Sequence, residues 1–243
     1  MDGLISIYKR ELKGYFATPV AYVFLVIFLF FCGFLSFQSG FFEAGQATLR
    51  QFFDHMPMLF LFFVPAIAMR LWAEERRTNS IEQLFTLPLT TTQAVLAKFL
   101  AALTVLALAL FLTFPMVITV AYLGDPDPGP IITGYIGSLL LAGVYLAIGS
   151  FFSAATKNQV IAFILSIVAC GLFLYAGSPN VLRLLAGTFS SGLAEAMETL
   201  SIRTRFEAVL RGVIELRDIF FFVLLTAGWL SASILLIEER KAA

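Results

Sequence analysis

From Phe99 to Gly124 the chain runs without one charged side chain, and a second such stretch extends from Ile131 to Ser153. A bilayer is crossed by ~20 mostly apolar residues in a helix. These runs constrain the fold more than any motif does. Reading between charges gives six windows of this kind. The first lies between Lys13 and Glu43, with its core at Val20–Phe37, and the second at Met56–Trp72, between Asp54 and Arg70. The remaining four are Phe99–Gly124, Ile131–Ser153, Gln159–Tyr175 and Ile219–Ile237. The second is short and interrupted by Pro57 and Pro65; Arg70 can snorkel to the nearer interface and lengthen it by a turn.

Composition agrees. Apolar residues make up 60% and charged residues 13% of the chain, against roughly 45–50% and 25% in a soluble domain; mean hydropathy is +0.91. A soluble enzyme, a disordered chain and a disulfide-stapled module are excluded on this ground. Sixteen basic residues match sixteen acidic ones, so no surplus exists to hold nucleic acid. The apolar runs also exceed the alternating ~10-residue segments of a membrane barrel. The expectation is an all-α integral membrane protein, one transmembrane domain over residues 1–243. Cys32 and Cys170 sit inside apolar runs, match no metal spacing, and read as inert bulk.

Short-loop cations set orientation. Lys9, Arg10, Lys13, Arg76, Arg77, Lys98, Lys157, Arg240 and Lys241 collect on one side. The two short loops on the other side hold only Arg50 against Glu43, Asp54, Asp125 and Asp127. Both termini are therefore expected in the cytoplasm, and the segment 178–218 outside. Residues 2–13 are not followed by the small-residue cleavage site of a signal peptide. They fit an amphipathic helix over 1–17, with Leu4, Ile5, Tyr8, Leu12, Tyr15 and Phe16 on one side. Asp2, Lys9, Arg10 and Lys13 lie on the other, and the chain turns at Pro19. Glu11 falls on the apolar side and calls for a cationic partner, with Arg70 and Lys98 as candidates. A basic tail that only enforces orientation is the alternative.

No catalytic constellation is visible. The chain has no Gly-x-x-x-x-Gly-Lys-[Ser/Thr] loop for nucleotide phosphates. Its one histidine, His55, sits at a membrane edge beside Asp54. Gly124-Asp125 lacks a second buried aspartate, and Glu74-Glu75 lacks downstream histidines for a metal. No ionisable residue lies in the middle of the third, fourth or fifth window, which argues against ion coupling. Thr104, Thr113, Thr119, Thr133, Ser138 and Ser150 read as helix-to-helix hydrogen-bonding groups. The chain is expected not to be an enzyme and to bind no cofactor or metal itself.

The informative stretch is 73–93, Ala-Glu-Glu-Arg-Arg-Thr-Asn-Ser-Ile-Glu-Gln-Leu-Phe-Thr-Leu-Pro-Leu-Thr-Thr-Thr-Gln. Ser80 and Gln83 form a capping box and Pro88 stops what they start, predicting about two helical turns with Ile81, Leu84 and Phe85 on one stripe. Thr90 and Gln93 form a second box that opens the third window. Such a segment suits a docking element for a soluble motor, and it suits equally a well-ordered loop.

This run, Glu74-Glu75 through Pro88 and then Ala97-Lys98-Phe99, resembles the first cytoplasmic loop of type-2 ABC transporter permeases. There a Glu, a Thr-x-Glu-x-Leu-x-x-x-Pro element and a Gly-Lys precede the third span. Here Ser80-Ile81-Glu82 stands for the Thr-x-Glu and Ala97 for the Gly. The branch it looks most like is that of gliding-motility-associated permeases. Lys9-Arg10-Glu11-Leu12, Phe16-Ala17-Thr18-Pro19, Phe28-Leu29, Gly33, Arg205-Phe206-Glu207, Arg211-Gly212-Val213-Ile214-Glu215 and Asp218 fit that branch.

The resemblance implies six transmembrane helices and an elbow helix bearing Lys9, Arg10, Glu11 and Lys13. It implies a coupling helix, with Glu75, Ser80, Ile81, Glu82, Leu84, Phe85 and Pro88, that receives force from a separate ATPase. Re-entrant helices are implied between the fifth and sixth spans, where Arg205, Phe206, Arg211, Gly212 and Asp218 fall. ATP and Mg would be bound by the ATPase subunit. A second permease copy or a related permease, and an auxiliary membrane-anchored protein with an exterior domain, would complete the assembly in a bacterial inner membrane. The expected role is export or force transmission; an ion-coupled carrier and a non-transporting scaffold are the alternatives.

Overall fold

The computed structural model describes residues 2–38, 47–78, 90–178, 181, 201–213 and 215–242, and among them all regular structure is helical. In chain order the helices are α1 (Asp2–Ala17), α2 (Pro19–Gln38), α3 (Arg50–Asp54), α4 (Met56–Ala68) and α5 (Arg70–Arg77). They continue with α6 (Thr91–Phe111), α7 (Phe114–Leu123), α8 (Pro128–Ala155), α9 (Gln159–Tyr175), α10 (Ile202–Val209) and α11 (Leu216–Ala242).

Helix α8 is the central post. Every residue from Leu141 to Ser150 is buried, as befits a helix apolar on all sides and surrounded by others. Helices α3, α4, α5, α6, α9, α10 and α11 all pack on it. Lipid tails give helices no hydrophobic reason to associate, so close backbone approach at small residues does that work. A Cβ on Gly149 would stand 2.4 Å from the Cβ of Ala68, and one on Gly134 would meet the Phe53 ring at 2.5 Å. One on Gly137 would come 2.9 Å from Val209. The outward faces of α2 and α11 stay exposed, through Phe30, Phe34 and Phe37 on one and Phe220 and Leu224 on the other.

Among the described residues, five helical stretches are long and apolar enough to cross a membrane: Pro19–Gln38, Met56–Arg77, Thr91–Leu123, Pro128–Ala155 and Leu216–Arg240. The expected count was six. The fifth window forms α9, whose 17 residues measure about 25 Å against a ~30 Å hydrocarbon core. Its ends are fixed by side chains. Asn158 caps its start by accepting from the Val160 amide at 2.9 Å. At the other end Gly177 lies against Ser201, where an added Cβ would come within 2.4 Å. The second window continues through α5 with a break at Met69. The third divides into α6 and α7 at Leu112–Thr113, where Thr113 donates to the Leu110 carbonyl at 2.6 Å and Pro115 sits in the new first turn.

The ends of the helices sort into two sides. Arg76 at the end of α5 donates to the Ala154 carbonyl, and Arg240 of α11 donates to the Ala155 carbonyl at 2.9 Å. Helix α1 joins this same side through the contacts described next. The far side holds α3, the start of α8 and α10. Helix α9 runs between them, from Asn158 to Tyr175, whose hydroxyl reaches the Met58 sulfur at 3.7 Å.

Candidate functional site

Three helices converge on Lys98, eight residues beyond the N-cap of α6. That start is the expected capping box: Thr90 accepts from the Gln93 amide at 3.2 Å and its own amide donates to Gln93 Oε1 at 3.3 Å. About two turns into the helix Lys98 is 2% exposed, far less than a loop cation. Its Nζ lies 2.8 Å from Glu75 Oε1 on α5 and 3.2 Å from Glu11 Oε2 on α1. Arg10 adds its Nη2 at 2.9 Å from Glu11 and 3.9 Å from Glu75. Two cations thus face two carboxylates, and each charge withdrawn from water has an opposite neighbour. Burial pushes the Glu11 carboxyl up, but Lys98 and the hydrogen bonds from Arg10 and Lys98 outweigh it, holding Glu11 below its ordinary value. The partner expected for Glu11 is therefore Lys98. Arg70 turns instead to Glu74 at 3.0 Å.

Helix α1 lies across α5 and α6. Tyr8 shares a hydrogen bond of 3.0 Å with Thr104 of α6, and Tyr15 lines a pocket with Arg70 and Glu74. The buried stripe differs by one position from the expected one: Ile7 is 3% exposed while Ile5 is 47% exposed. Lys9 and Lys13 remain in solvent.

From Lys98 the contacts lead into the central post. The Lys98 ammonium stands 5.3 Å from the centre of the Trp72 ring. The indole N–H of Trp72 donates to Ser150 Oγ at 3.2 Å. Ser153, one turn on, accepts from the Trp72 and Ala73 amides at 3.0 and 3.1 Å and donates to the Met69 carbonyl at 2.9 Å. A hydroxyl from α8 is therefore inserted into the ladder of α4–α5, which is why that span breaks at Met69. The last carbonyls of α8, left without helical partners, are met by Arg76 and Arg240. Helices α1, α5, α6, α8 and α11 are joined at one level. Glu75 and Lys98 sit at the two roots of the segment 79–89, since α5 leads into it and α6 leads out.

Ser80, Ile81, Glu82, Leu84, Phe85 and Pro88, on which the docking expectation rests, lie outside the described residues, as does Ile214. On the far side Arg205 and Asp218 pair, while Phe206 packs on Gly137, Gly212 lies against Pro130 and Arg211 faces solvent. Arg205 Nη1 is 3.3 Å from Asp218 Oδ1, with Asp218 only 2% exposed, and the guanidinium lies over the Phe221 ring. Phe206 and Val209 cover Gly137, and Gly212, in the turn after α10, has φ +89°, a conformation that favours glycine. His55 is occupied by the Gln51 carbonyl at 2.6 Å.

Sequence reasoning missed Ser153, Arg76 and Arg240 as structural links. Lys98 and Ser150 were visible as types, but not that Trp72 connects them. Of the hydroxyls read as helix-to-helix bonds, Thr104, Thr113 and Ser150 make such bonds, to Tyr8, Tyr135 and Trp72. Thr119 and Thr133 bond within their own helices.

A family model described as ABC-2 family transporter protein matches residues 36–197, two thirds of the chain and all of the stretch from α3 through α9. The chain belongs to this family. It is accordingly a multi-pass ABC-2 membrane permease component of an ABC transporter, a transmembrane domain rather than a nucleotide-binding one. Permeases of the ABC-2 family normally work with an ATPase subunit. Glu75 and Lys98 fall inside the matched residues, whereas Glu11 and the Arg205–Asp218 pair lie outside them. No curated protein matches the chain.

Proposed function

We propose that this ABC-2 permease couples ATP hydrolysis by a separate subunit to export, or to force transmission, across a bacterial inner membrane. The segment 79–89 is the docking element, with Ser80, Ile81, Glu82, Leu84, Phe85 and Pro88 meeting the ATPase and Glu75 at its root. The observation that carries the reading is the Glu11–Lys98–Glu75 cluster. A push delivered to 79–89 arrives first at its two roots, and those roots are bound to each other, to α1 and, through Trp72, to α8. Helix α1 is the elbow, both termini face the cytoplasm, and α9 crosses as a sixth, short span. Residues 178–218 form the exterior helical segment, entering the membrane again from outside.

ATP and Mg belong to the ATPase subunit, and two identical permease bundles complete the assembly, a related permease being the other possible partner. The gliding-motility-like branch, with an auxiliary exterior protein, is the subgroup the quoted residues support. The test is co-purification with the ATPase from native membranes, followed by its turnover. Glu82→Arg with Phe85→Ala is expected to abolish ATPase stimulation while the chain still inserts. Unchanged binding and stimulation would remove the assignment. Transport without any ATPase would point to an ion-coupled carrier, and binding without substrate-stimulated turnover to a scaffold.

A further inference from the structure

On the α1 side an apolar groove of about 450 Å³ runs between α2 and α4. Val20, Phe24 and Ile27 form one wall, and Phe62, Phe63 and Ala66 the other. The groove ends at Tyr15 and Arg70. Those same two residues line a smaller polar pocket of about 200 Å³ together with Thr18 and Glu74. The two hollows therefore adjoin at Tyr15 and Arg70, one apolar along the spans and the other polar at the α1–α2 turn. The wall from Val20 to Ile27 is about 10 Å long at 1.5 Å per residue, which is most of one ~15 Å leaflet.

The polar end offers both signs of charge. Arg70 uses Nε and Nη2 on the Glu74 carboxylate, at 3.0 and 3.4 Å, which leaves Nη1 free among the described residues. The pair is part-exposed, so a ligand can reach it. Glu11 also fronts the pocket but is already engaged by Lys98 and Arg10.

We propose that this hollow holds one phosphatidylethanolamine-type lipid from the leaflet on the α1 side. Its phosphate is received by Arg70 Nη1, its primary ammonium by Glu74, and one acyl chain fills the groove. A free soluble anion would leave the apolar groove empty. A purely anionic headgroup would place its charge beside Glu74, whose ion-pair partner is the same Arg70. A choline headgroup has no N–H to give Glu74. A headgroup carrying phosphate and a primary amine satisfies both side chains.

The test reconstitutes the full chain in vesicles of phosphatidylethanolamine, phosphatidylglycerol and phosphatidylcholine in equal parts, then releases it for native mass spectrometry. One retained phosphatidylethanolamine per chain is expected. Arg70→Gln is expected to lose that preference. Ala66→Phe in the groove and Val23→Trp at its exposed lip are each expected to lose the lipid with the melting temperature of the protein little changed. Equal retention of the three lipids, or preference for phosphatidylglycerol, would overturn the headgroup assignment. Lipid that survives both filling variants would overturn the groove. Val23→Cys cross-linking of two chains, with no lipid retained, would show that a second copy covers the groove instead.

Discussion

Lys98 Nζ stands 2.8 Å from Glu75 Oε1, so the helix that enters the segment 79–89 and the helix that leaves it are tied by an ion pair withdrawn from water. Glu11 shares the same ammonium at 3.2 Å. The bridge ties α1, α5 and α6 to one ammonium. Ions of this kind are costly to bury, but still more costly to leave unpaired.

Lys98→Met is therefore expected to destabilise the protein by about 3–5 kcal/mol, because Glu11 and Glu75 then share only the half-exposed Arg10 as a cation. Adding Glu11→Gln and Glu75→Gln to the same chain is expected to recover most of that loss. Thermal unfolding in gentle detergent measures both. Breaking the exposed Arg203–Glu207 pair is expected to change little.

Acid should loosen the same cluster. The Glu11 carboxyl is held below its ordinary value of 4.5, so its stabilising contribution is complete above that pH. It is lost as pH falls below 4.5, through the lowered folded value. Melting temperature followed from pH 6 downward should drop less steeply in Glu11→Gln than in the parent; parallel curves would show that Glu11 carries none of the acid sensitivity.

Ser153 holds open the break at Met69. Ser153→Ala removes the acceptor of two buried amides and the donor to one carbonyl, and about 2 kcal/mol of stability is expected to go with it. Ser150→Ala loses only the Trp72 indole bond and is expected to cost about 1 kcal/mol. Thermal unfolding in gentle detergent checks the ranking, and a larger loss for Ser150→Ala than for Ser153→Ala would contradict it. In a Trp229→Phe background the Trp72 emission is expected to shift with Ser150→Ala, which removes the indole's own hydrogen bond.

Gly149→Ala forces a methyl to within 2.4 Å of Ala68 Cβ. Helices α4 and α8 must separate, at an expected cost of about 1–3 kcal/mol. Gly33→Ala on α2 meets nothing within 4 Å, and the better helix former is expected to leave the isolated chain as stable or slightly more so. Comparing the two melting temperatures checks the pair.

The sequence by itself determined the class of protein. Charge-free runs such as Phe99–Gly124 admit only membrane helices, because hydrocarbon leaves backbone groups no partner outside the helix. Local chemistry also sufficed for the Thr90–Gln93 box, and the cost of an unpaired Glu11 pointed to Lys98 among its candidates. What periodicity could not supply was contact between residues distant in the chain. That Ser153 enters the Met69 break, that Trp72 links Lys98 to Ser150, and that Arg76 and Arg240 meet the end of α8 depends on how helices are placed side by side. The same holds for the glycines of α8: Gly134, Gly137 and Gly149 read alike in sequence, and only packing assigned them to Phe53, Val209 and Ala68. Helix type follows from residues within a few positions of one another, whereas in lipid the choice of neighbour is made by close fit across the whole bundle.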